Sequence, residues 1–349
     1  MYECYFFDSK TNSPLKPEYY ELENPYIVKT STKKRRIQKI DPEIIAELRL
    51  TLDEFVKCSE KVPKIEGSVE QDYFHPAETR NYLKIENPEL MAYQKLVETD
   101  ENSASFHQNP QDSGSSIYLK PFSMFYISSQ QQFNTHKMDA PYDLILMDPP
   151  WPNKSIRRKR NYETYDQKFQ TSTKKPNCQS NSPLESLLAD FDFNELASKY
   201  VCIWITNAKR IENFVKTDFC EKNDLELEME IYWMKVTKNS KPVCPIDSIH
   251  KKPYEKLLVL KKKSLKKNED FGSIKKVDPV VIFSVPSSFH SQKPFLHDWL
   301  KNRFSSKKPL ELFSRFTVGN GWTNWGNEPL NFNEIRYLKT RENTPDKSV

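Results

Sequence analysis

The sequence predicts an α/β protein with a mostly parallel sheet, preceded by an α-rich N-terminal domain. Three observations carry this. The stretch Tyr142-Asp143-Leu144-Ile145-Leu146-Met147 has five apolar residues among six, as expected of a parallel strand covered on both faces. Further apolar runs at 200–206, 225–236, 256–260, 279–285 and 310–313 are interleaved with segments of helical period at 184–196, 211–215 and 295–304, and strands alternating with helices imply a parallel sheet. The 349 residues suggest roughly two domains and are ample for a sizeable core.

Composition narrows the classes of function. No apolar run approaches the roughly 20 residues of a membrane span, and Met1-Tyr2-Glu3-Cys4 lacks the charged start and apolar core of a signal peptide. No membrane partner is expected. The six cysteines, Cys4, Cys58, Cys178, Cys202, Cys220 and Cys244, form no Cys-x-x-Cys pair, which argues against a zinc site and a disulfide framework and fits a reducing compartment. No metal is expected. With only six glycines, against roughly 7% in average usage, no G-x-G-x-x-G or phosphate loop can be written. Nicotinamide-dinucleotide and P-loop chemistry therefore lose their usual support. The formal net charge of +5 does not by itself indicate nucleic acid; its distribution matters more.

In chain order, residues 1–98 read as an N-terminal domain with a role in nucleic-acid or partner binding. It carries a helix that opens at Asp41-Pro42 and runs through Ile44, Ile45, Leu48, Leu52, Phe55 and Val56, since Asp before Pro is a good helix start. Lys33-Lys34-Arg35-Arg36 reads as a nuclear-import signal, a phosphate-binding arm or a solvated charged turn. Residues 99–116, almost without apolar side chains, are the linker. The main domain spans 117–335 and opens with a short aromatic strand within 121–129; residues 336–349 are a polar tail. Between 153 and 182 the chain is long and basic, with Lys154, Arg157, Arg158, Lys159, Arg160, Lys168, Lys174 and Lys175 against Glu163 and Asp166. Interleaved with Tyr162, Tyr165 and Phe169, this loop is suited to close over a polyanion, and a solvated insertion is the alternative. Ser182-Pro183 opens a helix through Leu184, Leu187, Leu188, Phe191 and Leu196, and Asn207 is placed to cap the helix of Ile211, Phe214 and Val215. Trp233, in the strand over 225–236, reads either as core or as a base-stacking surface. A second basic loop covers 261–276, and 319–326 reads as a turn into Trp322 and Trp325.

The chemistry gathers where the strand over 142–147 meets Asp148-Pro149-Pro150-Trp151. Proline has no ladder N–H, so the strand ends there and the acid sits at its carboxyl end, where ligands bind in open α/β sheets. An exocyclic amine on a nucleobase is a poor nucleophile because its lone pair is delocalised into the ring. Two acceptors, the Asp148 carboxylate and the Pro149 carbonyl, would hold both amino hydrogens and favour a pyramidal nitrogen whose lone pair points at an electrophile. Trp151 offers a stacking surface for a base taken out of its helix. The four residues alone also fit a plain turn that caps a strand.

Several blocks in order make the resemblance specific. After Asp148-Pro149-Pro150-Trp151-Pro152-Asn153-Lys154-Ser155 come Trp204-Ile205-Thr206-Asn207, His250-Lys251-Lys252-Pro253-Tyr254-Glu255, Ser284-Val285-Pro286, His290-Ser291-Gln292-Lys293-Pro294, Glu311-Leu312-Phe313-Ser314-Arg315 and Gly321-Trp322-Thr323-Asn324-Trp325-Gly326-Asn327-Glu328. Over 117–335 the chain resembles the DPPW-motif adenine N6-methyltransferases, the family of the messenger-RNA adenosine methyltransferase, and most of all its methyltransferase-like protein four branch. The resemblance implies a Rossmann-like domain that uses S-adenosylmethionine, with the catalytic motif ahead of the main cofactor motif. By analogy Asp148, Pro149, Pro150 and Trp151 hold the target adenine and abut the methionine end of the cofactor. Lys293 would pair with the cofactor's carboxylate. Glu311, Phe313, Arg315, Asn327 and Glu328 would surround its ribose and adenine, joined by the backbone near Ile127 and Ser128. The family often has an acid at that upstream segment, where this chain has Ile127-Ser128-Ser129. Asn153, Lys154, Ser155, Arg157, Trp233, His250, Lys252, Tyr254 and His290 are the candidates for substrate contact.

The resemblance further implies N6-methylation of adenosine in RNA, specifically 2′-O-methyladenosine in U2 small nuclear RNA, within the nucleus and with some cytoplasmic presence. Methylation of adenine in DNA is the alternative, and a catalytically silent RNA-binding subunit the further one. A protein partner is left open.

Overall fold

The computed structural model of the chain describes residues 3–6, 20–25, 42–58, 81–82, 115–116, 124–127, 139–151, 188, 191–248, 252–265, 279–288, 292–315, 321–326 and 329. Its centre is one sheet built from β1 (Glu3–Phe6), β4 (Met124–Ile127), β5 (Tyr142–Met147), β6 (Ala197–Ile205), β7 (Leu225–Lys235), β8 (Tyr254–Lys262), β9 (Val280–Ser284), β10 (Pro309–Leu312) and β11 (Thr323–Gly326). The two-residue strands β2 (Asn81–Tyr82) and β3 (Ser115–Ser116) pair antiparallel, apart from it. The order across the main sheet is β1-β9-β7-β8-β6-β5-β10-β11-β4. Only β8 runs against the rest, antiparallel to both β6 and β7. The reason is local: the connection from β7 to β8 holds no helix among its described residues and folds back through a bridge between Val236 and Pro242. Without a helical crossover the next strand must return antiparallel.

The expected buried strand is β5, fully covered except for Asp143 and lying parallel between β6 and β10. Asp143 has its own structural use. Its carboxylate accepts from the backbone N–H of Lys307 at 2.8 Å and Lys308 at 3.1 Å, and from Ser306 Oγ, which fixes the entry to β10. One face of the sheet packs Ile145, Met147, Ile203, Ile205, Leu258 and Leu260 against α2 (Phe193–Leu196) and the helix made of α3 (Lys209–Phe214), a π turn at Val215–Phe219 and α4 (Cys220–Lys222). The other packs Leu144, Leu146, Trp204, Trp233, Leu257 and Ile282 against α5 (His297–Arg303) and Trp322.

Several expectations are corrected. Residues 1–98 are read above as a domain of their own, yet two of their described pieces join the main sheet or pack on it. β1 pairs with β9 along its whole length, and α1 (Pro42–Cys58) buries Leu48, Leu52 and Phe55 against Tyr232, Met234 and Phe283. The Phe55 and Phe283 rings stack at 4.0 Å. A lone four-residue strand and a one-sided helix have no core of their own to bury against, so they take the sheet's. The helix over 184–196 does not run through: Asp192 interrupts it and caps α2, its Oδ1 accepting from Asn194 N–H at 2.9 Å and Glu195 N–H at 3.4 Å. Ala208, not Asn207, is the residue preceding α3. Asn207 instead ties β6 to β8 by donating its amide to the Tyr254 carbonyl at 2.7 Å. The segment 323–326, read as a turn, is strand β11. The linker at 99–116, apart from β3, and most of the two basic loops lie outside the described residues.

Candidate active site

Eight of the nine strands of the main sheet end, and β8 begins, along one edge. Within it the strand order reverses between β5, whose connection leads to β6 on one side, and β10, whose connection leads to β11 on the other. Such a reversal opens a crevice outside the strand ends. Asp148, the first residue past β5, stands there.

Asp148 is the end of a row of alternating charges. Its Oδ2 lies 3.1 Å from Lys293 Nζ, and the same ammonium lies 2.9 Å from Glu255 Oε2. The other oxygen of Glu255 pairs with Lys235. Both lysines rest on indoles: Lys293 Nζ is 5.6 Å from the Trp204 ring centre, Lys235 Nζ is 4.4 Å from that of Trp233, and the two rings meet edge to face at 6.0 Å. Ammonium groups over indole faces gain attraction where water is scarce. Burial raises the Asp148 carboxyl above the usual aspartate range; Lys293 pulls it down, Glu255 pushes it up, and Arg315 adds a weaker downward pull. Burial would also raise Glu255, but Lys293 and Lys235 outweigh it and hold that carboxyl at about 2. Burial disfavours a charged Lys293, yet Asp148 and Glu255 overcome it and raise its pKa. The Asp148 side chain is 34% exposed: it sits deep between strands but is open on one side, and its Oδ1 has no partner among the described residues.

The motif after Asp148 is pinned from both ends. Trp151 N–H donates to the Pro149 carbonyl at 2.7 Å, and Trp151 Nε1 donates to the Trp204 carbonyl at 2.6 Å. The Trp151 ring is 3% exposed and meets Phe214 edge to face at 6.5 Å. It is thus a clamp that holds the turn to β6, which corrects its reading as an open stacking surface: the ring is buried and its indole N–H is used. The Pro149 carbonyl keeps a second lone pair for a further donor.

Across the crevice, β10 and β11 supply Glu311, Phe313, Ser314, Arg315 and Gly326. Glu311 Oε2 lies 3.0 Å from His297 Nε2 and 3.0 Å from Ser314 Oγ. Phe313 takes a φ of 59°, so the chain turns sharply off the strand just there. The end of β11 then passes so near that a Cβ on Gly326 would stand 2.5 Å from the Ser314 carbonyl oxygen. Only glycine fits this approach. Ile127 ends β4 beside Gly326, its register partner.

The predicted residues thus divide. Asp148, Pro149, Pro150, Lys293, Glu311, Phe313, Arg315 and Ile127 lie at the carboxyl edge or on segments that leave it. Trp233 is 2% exposed, with Nε1 donating to Ser284 Oγ at 2.7 Å, and so is core rather than a base platform. Tyr254 is buried on the opposite face with Tyr232, Met234 and Phe283, where burial and Glu212 push its phenol up to about 12. That corrects its reading as a substrate contact: strand neighbours point to opposite faces, so it is Glu255 that reaches Lys293. Lys252 is half-buried just before β8, and burial lowers its pKa against a weaker pull from Asp247. Ser128, Asn153, Lys154, Ser155, Arg157, His250, His290, Asn327 and Glu328 lie outside the described residues. Sequence reasoning missed Glu255, Lys235, Trp204 and His297 as members of the site; Glu255 and Trp204 carried a signal, as the last residue of the His-Lys-Lys-Pro-Tyr-Glu block and the first of the Trp-Ile-Thr-Asn block.

Comparison with known proteins agrees with this geometry. The MT-A70 family model matches residues 142–328, from the first residue of β5 past the end of β11. The human N(6)-adenine-specific methyltransferase METTL4 is 33% identical over 249 residues, covering 68% of this chain and 48% of the relative. The N6-methyladenosine RNA methyltransferase MTA1 of Pyricularia oryzae is 31% identical over 229 residues, 62% of this chain and 55% of the relative. The DNA N6-methyl methyltransferase of Caenorhabditis elegans is 31% identical over 208 residues, 58% of this chain and 50% of the relative. The chain spans about half the length of these relatives. With more than half of its residues matched by the family model, and with the motif acid, the lysine and the strand-end acid gathered at one crevice, the chain belongs to the MT-A70 family.

Proposed function

We propose that the chain is an adenine N6-methyltransferase acting on RNA. The observation that carries this reading is the Oδ1 of Asp148, without a partner among the described residues, beside an Oδ2 fixed by Lys293. Asp148 Oδ1 and the second lone pair of the Pro149 carbonyl accept the two hydrogens of the adenine amine, which turns the nitrogen lone pair toward the crevice. Lys293 keeps the carboxylate oriented and ionised. As positive charge develops on N6, the Asp148 carboxylate stabilises it, and Oδ1 is placed to take the proton that N6 then releases.

S-adenosylmethionine would occupy the other half of the crevice and, when bound, supply the electrophilic methyl group. Lys293, an ammonium with two of its three hydrogens committed to Asp148 and Glu255, would hold the cofactor's amino-acid end. Glu311, Phe313 and Arg315 would hold its adenosine end, beside the close approach of Gly326 to Ser314.

The finer assignment, 2′-O-methyladenosine in U2 small nuclear RNA, follows the methyltransferase-like protein four branch, and with it a nuclear site of action served by Lys33-Lys34-Arg35-Arg36. The Caenorhabditis elegans relative named for DNA favours DNA adenine as the second reading. The test is transfer of labelled methyl groups to three oligonucleotides of one sequence: RNA with a 2′-O-methyl adenosine, plain RNA, and DNA. Preference for the first is expected. Preference for DNA moves the second reading ahead, and no transfer to any, with S-adenosylmethionine still bound, contradicts catalysis by this chain alone.

A further inference from the structure

The Glu311 carboxylate is held by one oxygen only. Oε2 receives both His297 Nε2 and Ser314 Oγ, each at 3.0 Å, while Oε1 has no partner among the described residues. A carboxylate only accepts, so His297 carries its proton on Nε2 and donates it. The imidazole has no freedom to turn away. His297 opens α5 as a buried residue, its ring stacks on Phe295 at 4.3 Å, and it meets Trp322 edge to face at 4.7 Å. Its Nδ1 is buried without a hydrogen-bond partner among the described residues. A ring whose polar capacity is half unsatisfied is a costly choice for a slot lined by Phe295 and Trp322, which an apolar side chain would fill without that penalty. What the histidine provides, and an apolar residue would not, is the bond to Glu311.

We propose that His297 is a positioning residue. Together with Ser314 it fixes Oε2 of Glu311, so that Oε1 is presented to the crevice and accepts a hydrogen bond from bound S-adenosylmethionine, through the ribose hydroxyls or the ammonium group. This rests on the reading of Glu311 as a cofactor contact given above. The arrangement freezes the carboxylate before binding, which removes an ordering cost from the bound state.

The probe is S-adenosylhomocysteine, titrated by calorimetry into the full chain and its variants, with the melting profile of each variant recorded alone. His297→Phe keeps the ring packing and removes the donor; about a tenfold loss of affinity is expected, the size of one hydrogen bond to a charged group. His297→Gln, whose amide can still donate, should recover most of that loss, and Ser314→Ala should weaken binding in the same direction. In a Glu311→Gln background His297→Phe should add nothing. An equal further loss in that background, or unchanged binding by His297→Phe while Glu311→Gln alone binds weakly, overturns the positioning role. Wild-type affinity for Glu311→Gln instead overturns the reading of Glu311 itself. Methylthioadenosine, which lacks the amino-acid part, separates the two donors: the same loss with this probe assigns the bond to the ribose, and no loss assigns it to the ammonium.

Discussion

Replacing Glu255 by Gln probes the charge row without touching Asp148. Glu255 is held at about 2 in the folded chain against an ordinary value of 4.5, and its side chain is 25% exposed. The depression corresponds to a stabilisation on the order of 3 kcal/mol. The raised pKa of Lys293 owes to Asp148 first and then to Glu255; its Glu255 share is the same attraction seen from the other partner and adds nothing to that figure. Because the folded pKa lies below the unfolded one, the stabilisation is present above about 4.5 and is lost as pH falls through about 2. Glutamine resembles protonated glutamate, so Glu255→Gln should unfold on the order of 3 kcal/mol more easily near neutral pH, and wild type and variant should converge at low pH. Urea unfolding of both across that range measures the gap. A gap that stays constant with pH would mean the loss comes from packing, and would refute the electrostatic account of the row.

Other perturbations follow from the same geometry. Asp148 must be ionised to accept the amine hydrogens and its pKa is raised, so activity should fall on the acid side sooner than for an ordinary aspartate. Glu255 is one cause of that rise, so Glu255→Gln should move the acid limb of the kcat/KM profile to lower pH, and a limb that stays put would count against the coupling. Gly326→Ala forces a Cβ onto the Ser314 carbonyl and should destabilise the chain by about 2 kcal/mol, read by thermal melting. Trp233→Phe removes the bond to Ser284 and should cost about 1 kcal/mol; because Trp233 is core, RNA affinity should not change, and a selective loss of RNA binding would restore its role as a base platform.

The most legible part of the chain was β5 and its end. A parallel strand buried on both faces shows itself as a continuous apolar run, and two prolines must stop it, so the position of Asp148 followed from sequence. Glu255 was hidden for the opposite reason. Which residue of Tyr254-Glu255 reaches the crevice depends on the phase of β8, and that phase is set by pairing with β6 and β7, not by any pattern within the segment. Strand β11 escaped because Thr-Asn-Trp-Gly has little strand character of its own; it is held by register with β10 and β4. The place of β1 and α1 in the main sheet was equally invisible, since nothing in an aromatic tetrapeptide or a one-sided helix names the surface that covers it. The partner of His297 is a tertiary fact of the same kind.

The central claim is that Asp148 activates an adenine amine for methylation. It is tested most directly by incubating the wild-type chain and Asp148→Ala with labelled S-adenosylmethionine and an adenosine-containing RNA, then digesting the RNA and locating the label. The account predicts label on adenine N6 with wild type, and none with a variant that still melts cooperatively and still binds S-adenosylhomocysteine. Label from the folded variant at a rate near wild type, or wild-type label on an atom other than N6, would contradict it.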